Sequence, residues 1–447
     1  MKTKHSILIL AAIAGSVMAF GQHNSGSGRS GRTAAADVKD TVTLPRPHAT
    51  KSKKNFSKVQ DWKNGKTPTA PKGFSVTRYA DGFENPRWMY MTPNGDILVA
   101  ESNSNHPFLE RIGAHIIGAH RSNNLHHSAD RITLLRDKDE DGVPELRQEF
   151  LGKLNQPFGM LILDGWFYVA NTDALWRYPY ETGDTKINSK GEKILDLPAG
   201  KHNRHWTRNI IANANGSKIY IAVGSGSNVA EFGVENELLR ADILEINPDG
   251  TEMRVYAAGL RNPVGMGWAP GTQSLWTVVN ERDELGDDLV PDYFTRVQKG
   301  GFYGWPYEYY GDHSDVRVKS PKPESAGKTI VPDVSLGAHT ASLGLVFYTR
   351  KDFPSKYHEG AFIAQHGSWN RSTLSGYKVL FVPFENGKPS GPPEDFLTGF
   401  MADLEKDKVY GRPVGLTITP KGKLLIADDV NGIIWQVGAS QSAITKN

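Results

Sequence analysis

The chain has 447 residues, with 52 basic against 49 acidic side chains and a formal charge of +3. So even a balance excludes the clustered basic stripe that a nucleic-acid surface needs, and the absence of cysteine excludes both a disulfide framework and a lipoprotein anchor. With 46 Gly and 26 Pro beside 38% hydrophobic residues, short strands and turns are favoured over long helices.

Residues 1–21 read as a secretory signal peptide, with a short basic MKTKH, an apolar SILILAAIAGSVMAF and small residues at Val17, Ala19 and Gly21. The apolar run is too short for a membrane span, and no other run approaches the length needed. A periplasmic or secreted protein is expected. Residues 22–70 carry Ser, Gly, Lys, Thr and Pro with few large apolar side chains, and read as a flexible linker. The SGSGRSG in it has no preceding strand and no following helix, so it is not a phosphate loop.

Residues 71–447 form the remaining domain, and it repeats itself. NPRWMYMTPNGDILVAES from Asn85, QPFGMLILDGWFYVANTD from Gln156, HWTRNIIANANGSKIYIAVGSGSN from His205, NPVGMGWAPGTQSLWTVVNERD from Asn262 and RPVGLTITPKGKLLIADDVNG from Arg412 share one pattern. Each is a turn, an apolar strand, a tight turn and a second apolar strand. A sixth copy starts at Ala341 with a longer insertion between its strands. Runs between copies, such as RITLLRD, DILEINPDG, YKVLFVPF and IIWQVG, supply further strands. The expected fold is all-β, a six-bladed β-propeller, since a pair of sandwiches would not call for six similar units.

In such a fold the turns leading into the innermost strands converge at one end of the central channel. The residues there are Asn85, Gln156, His205, Asn262 beside Arg261, Ala341 and Arg412. Asn and Gln commonly cap turns, but a convergent His, Gln and two Arg point to a binding or catalytic funnel. A histidine among arginines is suited to act as a neutral base, and the arginines are suited to carboxylates or a developing oxyanion.

Four further stretches carry weaker signals. DKDEDGVPE offers Asp137, Asp139 and Asp141 in half of a calcium-loop pattern, but Gln148 at the twelfth position argues against an EF-hand and leaves a structural calcium site or a solvated hairpin. His115, His120, His126 and His127 lack metal spacing and read as an inserted loop. GSGSN near Gly224 lacks the third glycine and the βαβ context of a dinucleotide site, so NAD is rejected. Phe302, Tyr303 and Trp305 serve either ligand stacking or core packing.

The segments HNRHWTRNI, YAAGLRNPVGMGW, VQKGGFYGWPYEYYGD and YGRPVGLTITPKG resemble the soluble pyrroloquinoline quinone (PQQ)-dependent sugar dehydrogenases, most closely the L-sorbosone dehydrogenase-like branch, over Gly73 to Gly438. The resemblance implies a six-bladed propeller holding PQQ and Ca²⁺. It also implies oxidation of an aldose or sugar aldehyde to a lactone or acid by hydride transfer to the quinone, and an electron acceptor such as an exported cytochrome. Residue by residue, it implies His205 as the base, Gln156 as a sugar contact, and Arg261 and Asn262 beside the reactive carbonyl. Arg412 would hold a quinone carboxylate, Arg371 would replace a quinone-gripping lysine, and the carbonyls of Arg282 and Asp283 would bind calcium. Ser225 stands where the family often has the Asp that orients the histidine, and Tyr410 where glucose enzymes have another arginine, which implies different substrate contacts. A calcium-dependent lactonase and a non-catalytic propeller that binds glycan or protein are the alternatives.

Overall fold

Each repeated unit becomes the first two strands of a sheet. The computed structural model describes residues 42–105, 118–122 and 125–440, all within one compact unit, Val38–Asn447. The expected signal peptide, His115 and part of the histidine-rich loop lie outside the described residues.

Sheet 1 pairs Pro86–Met91, Ile97–Glu101, Arg131–Arg136 and Leu146–Leu151 in that order. Sheet 2 pairs Met160–Leu163, Trp166–Ala170, Ala174–Pro179 and Glu192–Asp196. Sheet 3 runs Arg208–Ala212, Ile219–Val223, Asp242–Ile246 and Arg254–Ala258, with Gly301–Phe302 added in parallel at its edge. Sheet 4 comprises Pro263–Trp268, Leu275–Val279, Pro291–Arg296 and Val334–Ala338. Sheet 5 comprises Ser342–Phe347, Ala361–Gln365, Lys378–Val382 and Glu394–Leu397. Sheet 6 starts with Pro413–Ile418, Leu424–Asp428 and Ile433–Ala439, and Phe74–Ala80 from the other end of the sequence completes it.

The first strands touch in a closed cycle from sheet 1 through sheet 6 and back to sheet 1, the arrangement of a β-propeller. Close approach between them explains the glycine in the repeated P-x-G. A Cβ on Gly265 would sit 2.8 Å from the Leu343 carbonyl oxygen in sheet 5, and one on Gly415 would sit 2.9 Å from that of Arg87 in sheet 1. The second strands ILVAE, IYIAV, LWTVV, AFIAQ and LLIAD are buried at every residue, because each has strands on both sides and sheets above and below. That is why they read as continuous apolar runs rather than alternating ones. Trp276, Phe294, Phe347 and Phe384 fill one such layer between sheets 4 and 5.

The expected linker over residues 22–70 is corrected where it can be seen. Residues 42–70 lie along the propeller as a strap. His48 N–H donates to Leu285 O at 2.7 Å, Asn55 N–H to Trp369 O at 2.7 Å, and Lys58–Val59 pairs in parallel with Lys408 and Val409. Trp62 is buried against Phe400, Tyr410 and Trp435, and its Nε1–H donates to Asp428 Oδ2 at 2.8 Å. One buried tryptophan and a row of hydrogen bonds hold this segment where its composition offers few apolar residues. Trp62→Phe keeps the ring packing but removes the indole donor from a buried carboxylate, and should cost about 1–3 kcal/mol. Unfolding in urea measures it, and an unchanged midpoint would contradict this account of the strap.

Candidate active site

Within each sheet, the start of the first strand and the end of the second lie at the same end, as the pairs Pro86 with Glu101, Arg208 with Val223, Ser342 with Gln365 and Pro413 with Asp428 show. Turn residues before first strands and after second strands therefore share one face. At three of the expected positions the backbone is left-handed, with φ of 54° at Asn85, 49° at Gln156 and 50° at Ala341.

His205 sits on the turn before Arg208–Ala212. Its Nδ1 lies 2.9 Å from both the carbonyl oxygen and the hydroxyl of Ser225. The Ser225 hydroxyl donates its own proton to Ser227 O at 2.7 Å, so both Ser225 oxygens can only accept. His205 Nδ1 must carry the hydrogen, which leaves the Nε2 lone pair free to take a proton. Burial, and then the charge of Arg261, hold the His205 pKa well below 6.5. Gly224 keeps the neighbourhood tight: a Cβ there would meet Asn262 Oδ1 at 2.4 Å and His205 Cβ at 2.5 Å.

The structure places the other expected residues differently from one another. Asn262 Oδ1 is buried with no hydrogen bond, and so is Arg412 Nε. Arg412 Nη2 donates to Ser57 Oγ of the strap at 2.9 Å. Gln156 is buried, with Nε2 donating to Asn103 O at 2.7 Å. Arg261, expected beside the reacting carbonyl, is instead committed to the protein. Its nitrogens donate to Asn228 O and Oδ1, Asn280 O and Oδ1, Glu281 O and Asp283 Oδ2. It braces the loop and acts on His205 through charge. Arg371 is likewise spent, on Asp287 O at 2.6 Å and Asp288 Oδ1 at 2.7 Å.

Of the two carbonyls expected to bind calcium, that of Asp283 is already engaged. The Arg282 side chain is fully buried among Glu281, Asp315, Pro306 O and Glu308 O. The Asp283 carbonyl already accepts Asn228 Nδ2 at 3.2 Å and Arg317 Nη1 at 2.8 Å. Both lone pairs of that oxygen are engaged, and a guanidinium stands where a cation would bind. The second expected calcium loop lies at the end of sheet 1 remote from Glu101. Asp137, Asp139 and Glu145 bring carboxylate oxygens within 4.8 Å of one another, while Asp141 stands outside the cluster and caps Val143 N–H at 2.7 Å. Phe302, Tyr303 and Trp305 are buried in packing, and Trp305 Nε1–H donates to Asn228 O at 2.9 Å.

Three site residues escaped the sequence reading. Arg87, on the first strand of sheet 1, pairs with Asp429, and His366 Nε2 lies 2.8 Å from the same Asp429 oxygen. Burial works to raise the Asp429 pKa, but the charges of His366 and Arg87 hold it well below the usual carboxylate range. Burial pushes His366 down to about 4. Arg87 also stands 5.5 Å from the ring of Trp206, next to His205. His366 and Asp429 each directly follow a second strand, in AQHGSWN and ADDVNG, so reading strand ends as well as strand starts would have found them.

Arg87 Nε, Arg412 Nε, Asn262 Oδ1 and Asp429 Oδ1 are all buried and unpartnered. Unpaired buried polar atoms are costly and mark a place where a polar ligand completes the bonding. Arg87 and Arg412, both acting on Asp429 and His366, each keep an Nε–H without a partner, and such donors suit the carboxylates of a flat polycarboxylate quinone.

Solved structures with this architecture include a calcium structure of the Trichoderma reesei Carbohydrate-Active Enzymes Family AA12 protein, at TM-score 0.67 and 19% identity over 83% of this chain and 97% of that one. The PQQ domain of Coprinopsis cinerea pyranose dehydrogenase aligns at TM-score 0.65 and 18% identity, covering 84% and 98%. The PQQ-bound aldose sugar dehydrogenase of Streptomyces coelicolor aligns at TM-score 0.54 and 16% identity, covering 83% and 99%. By sequence, an uncharacterized protein of Borreliella burgdorferi is 29% identical over 64% of this chain and 76% of its own length. The aldose sugar dehydrogenase YliI of Escherichia coli is 31% identical over 24% of this chain and 28% of its own. The TrAA12-like family profile matches residues 68–292 and 320–440, which takes in strands of all six sheets, and the chain belongs to that family.

Proposed function

We propose that the protein is a PQQ-dependent dehydrogenase that oxidises an aldose or sugar aldehyde to the lactone or acid. The observation that carries this reading is His205, with Nδ1–H fixed on Ser225, Nε2 free and its pKa held down by burial and by Arg261, Arg204 and Arg208. When bound, the quinone supplies a two-electron acceptor for hydride from the substrate carbon. His205 Nε2 takes the proton of the hydroxyl being oxidised, and Ser225 keeps the ring from turning. Arg87 and Arg412 hold carboxylates, each through its spare N–H. Asn262 Oδ1 and Gln156 orient polar groups nearby. No step is assigned to calcium, because the donors at Asp283 are already engaged. The electrons pass to an acceptor, an exported cytochrome being the class that suits a periplasmic or secreted enzyme. No helix among the described residues is long and apolar enough to cross a membrane.

Titration of cofactor-free protein with PQQ, with and without calcium, followed by dye reduction across aldoses and aldehydes, tests the reading. Saturable binding with sugar-dependent turnover supports it. Failure to bind quinone under either condition overturns it in favour of a binding module.

The pH dependence has a definite sign. The working base is neutral imidazole, and its pKa lies below 6.5. As pH falls, kcat/KM should therefore hold through 6.5 and decline only beneath it. Ser225→Asp sets an anion against Nδ1–H, favours the imidazolium and should move the acid limb upward. A wild-type limb above the ordinary histidine value would count against His205 as the base.

A further inference from the structure

The loop behind His205 is held by a carboxylate that touches neither the expected substrate nor the cofactor groups. Glu237, in the short helical turn Val234–Glu237, is buried. Its Oε2 accepts Gly226 N–H at 2.7 Å and its Oε1 accepts the Ser227 hydroxyl. Ser227 Oγ also accepts Ala230 N–H at 3.0 Å, so its single proton is committed to Glu237. The Ser227 carbonyl takes the Ser225 hydroxyl proton at 2.7 Å, and this is what reduces Ser225 Oγ to an acceptor for His205.

The same loop is locked to the segment that carries His205. Arg204 N–H donates to Gly226 O at 3.2 Å, and a Cβ on Gly226 would sit 2.7 Å from His202 O. On the other side, Arg208 Nη1 donates to His205 O at 2.7 Å, and both Arg208 and Arg240 donate to Asn203 Oδ1, at 2.8 and 3.0 Å. Burial raises the Glu237 pKa, the Ser227 and Gly226 hydrogen bonds oppose that, and of the charged groups Arg240 favours the ionised form while Glu231 opposes it. Position 237 faces two donors, an amide N–H and a hydroxyl whose oxygen is already used. Only an acceptor-only group satisfies both, and an ionised carboxylate is the side chain that is one.

We propose that Glu237 is a positioning residue for His205: by holding Gly226 N–H it fixes the peptide whose other end is the Ser225 carbonyl, by holding Ser227 it directs the Ser225 hydroxyl onto Ser227 O, and through both acceptors it keeps His205 in the Nδ1–H form with Nε2 open. The family's usual carboxylate against the histidine is thereby replaced by a neutral serine steered from behind by a more distant carboxylate. Ser225 sets the tautomer without lending the imidazolium a direct counter-charge. The inference rests on His205 being the base of the proposed reaction.

The test uses Glu237→Gln, which keeps size but presents an NH₂ to one of the two donors, and Ser227→Ala, which removes only the hydroxyl link. Nitrogen-15 NMR of the histidine rings in full-length, cofactor-free protein reads the tautomer, with His205→Gln identifying the signal. Wild type should show a protonated Nδ1 and an unprotonated Nε2, and Glu237→Gln a mixture of both forms. In the loaded enzyme kcat should fall by about 10- to 100-fold, with KM and quinone affinity unchanged and a smaller loss for Ser227→Ala. A single Nδ1–H tautomer in a folded Glu237→Gln protein overturns the proposal, and so does a parallel loss of kcat and quinone binding. Should Glu237→Gln fail to fold, Ser227→Ala decides alone by the same two readings. Because the tautomer is read without cofactor or substrate, wild type with no sugar turnover would sink the dehydrogenase reading while leaving the role of Glu237 to the NMR result.

Discussion

His205→Gln is expected to lower kcat by about 10²–10⁴-fold while PQQ still binds. The amide of Gln can donate to the Ser225 oxygens in place of Nδ1–H, and the backbone carbonyl at this position stays on Arg208 Nη1. The turn should therefore survive. What disappears is a basic lone pair, since a carboxamide does not take up a proton at neutral pH. The donors proposed to bind the quinone carboxylates, Arg87 Nε and Arg412 Nε, belong to other sheets and are untouched. Steady-state kinetics with a dye acceptor and a direct quinone titration separate the two effects. A variant with wild-type kcat would remove His205 from the mechanism, and one that lost quinone affinity as well would recast it as a binding residue.

The strand pairs were legible because a second strand enclosed on every side must be apolar throughout, and that leaves an unmistakable run such as IYIAV or LLIAD. The turn before each first strand was legible by position, and His205 and Asn262 both stand against Gly224. Position alone could not say how an arginine spends its donors. Arg261 stands two residues before its strand and Arg412 one residue before its own, yet one is consumed by the Asn228, Asn280 and Asp283 groups and the other keeps Nε free. That difference depends on loops contributed by neighbouring sheets. The Asp429 cluster was hidden for a related reason: its partners Arg87 and His366 are 342 and 63 residues away in sequence. The strap was missed because counting apolar residues overlooks hydrogen bonds, and residues 48–59 are held by backbone bonds and by the polar side chains of Thr50, Ser52, Asn55 and Ser57.

Arg87→Met should destabilise the fold by about 3–5 kcal/mol, because it strands a buried carboxylate rather than removing a pair. The Arg87 and Asp429 side chains are only 12% and 4% exposed, and Asp429 Oδ1 has no other partner. Arg412 remains as a fixed charge near the carboxylate, and His366 is the neighbour that can gain one by taking up a proton. In the wild type burial holds it down to about 4, with Asp429 pulling the other way and Arg87 adding to the depression. Without Arg87 the imidazole gains a proton more readily and its folded-state pKa rises. A histidine held below its unfolded value costs stability as pH falls through that value toward the folded one, and the wild type, with the deeper depression, loses more in acid than the variant does. The deficit of Arg87→Met against wild type should therefore shrink in acid and widen in alkali, measured by urea unfolding on either side of about pH 6.5. Arg87→Met with Asp429→Asn removes both charges and should be less damaging than the sum of the two single changes. If the deficit were independent of pH and the two changes simply added, the Arg87, Asp429 and His366 side chains would not be acting as one electrostatic unit. Arg87 would then matter mainly through its packing against Trp206, whose backbone continues directly from His205.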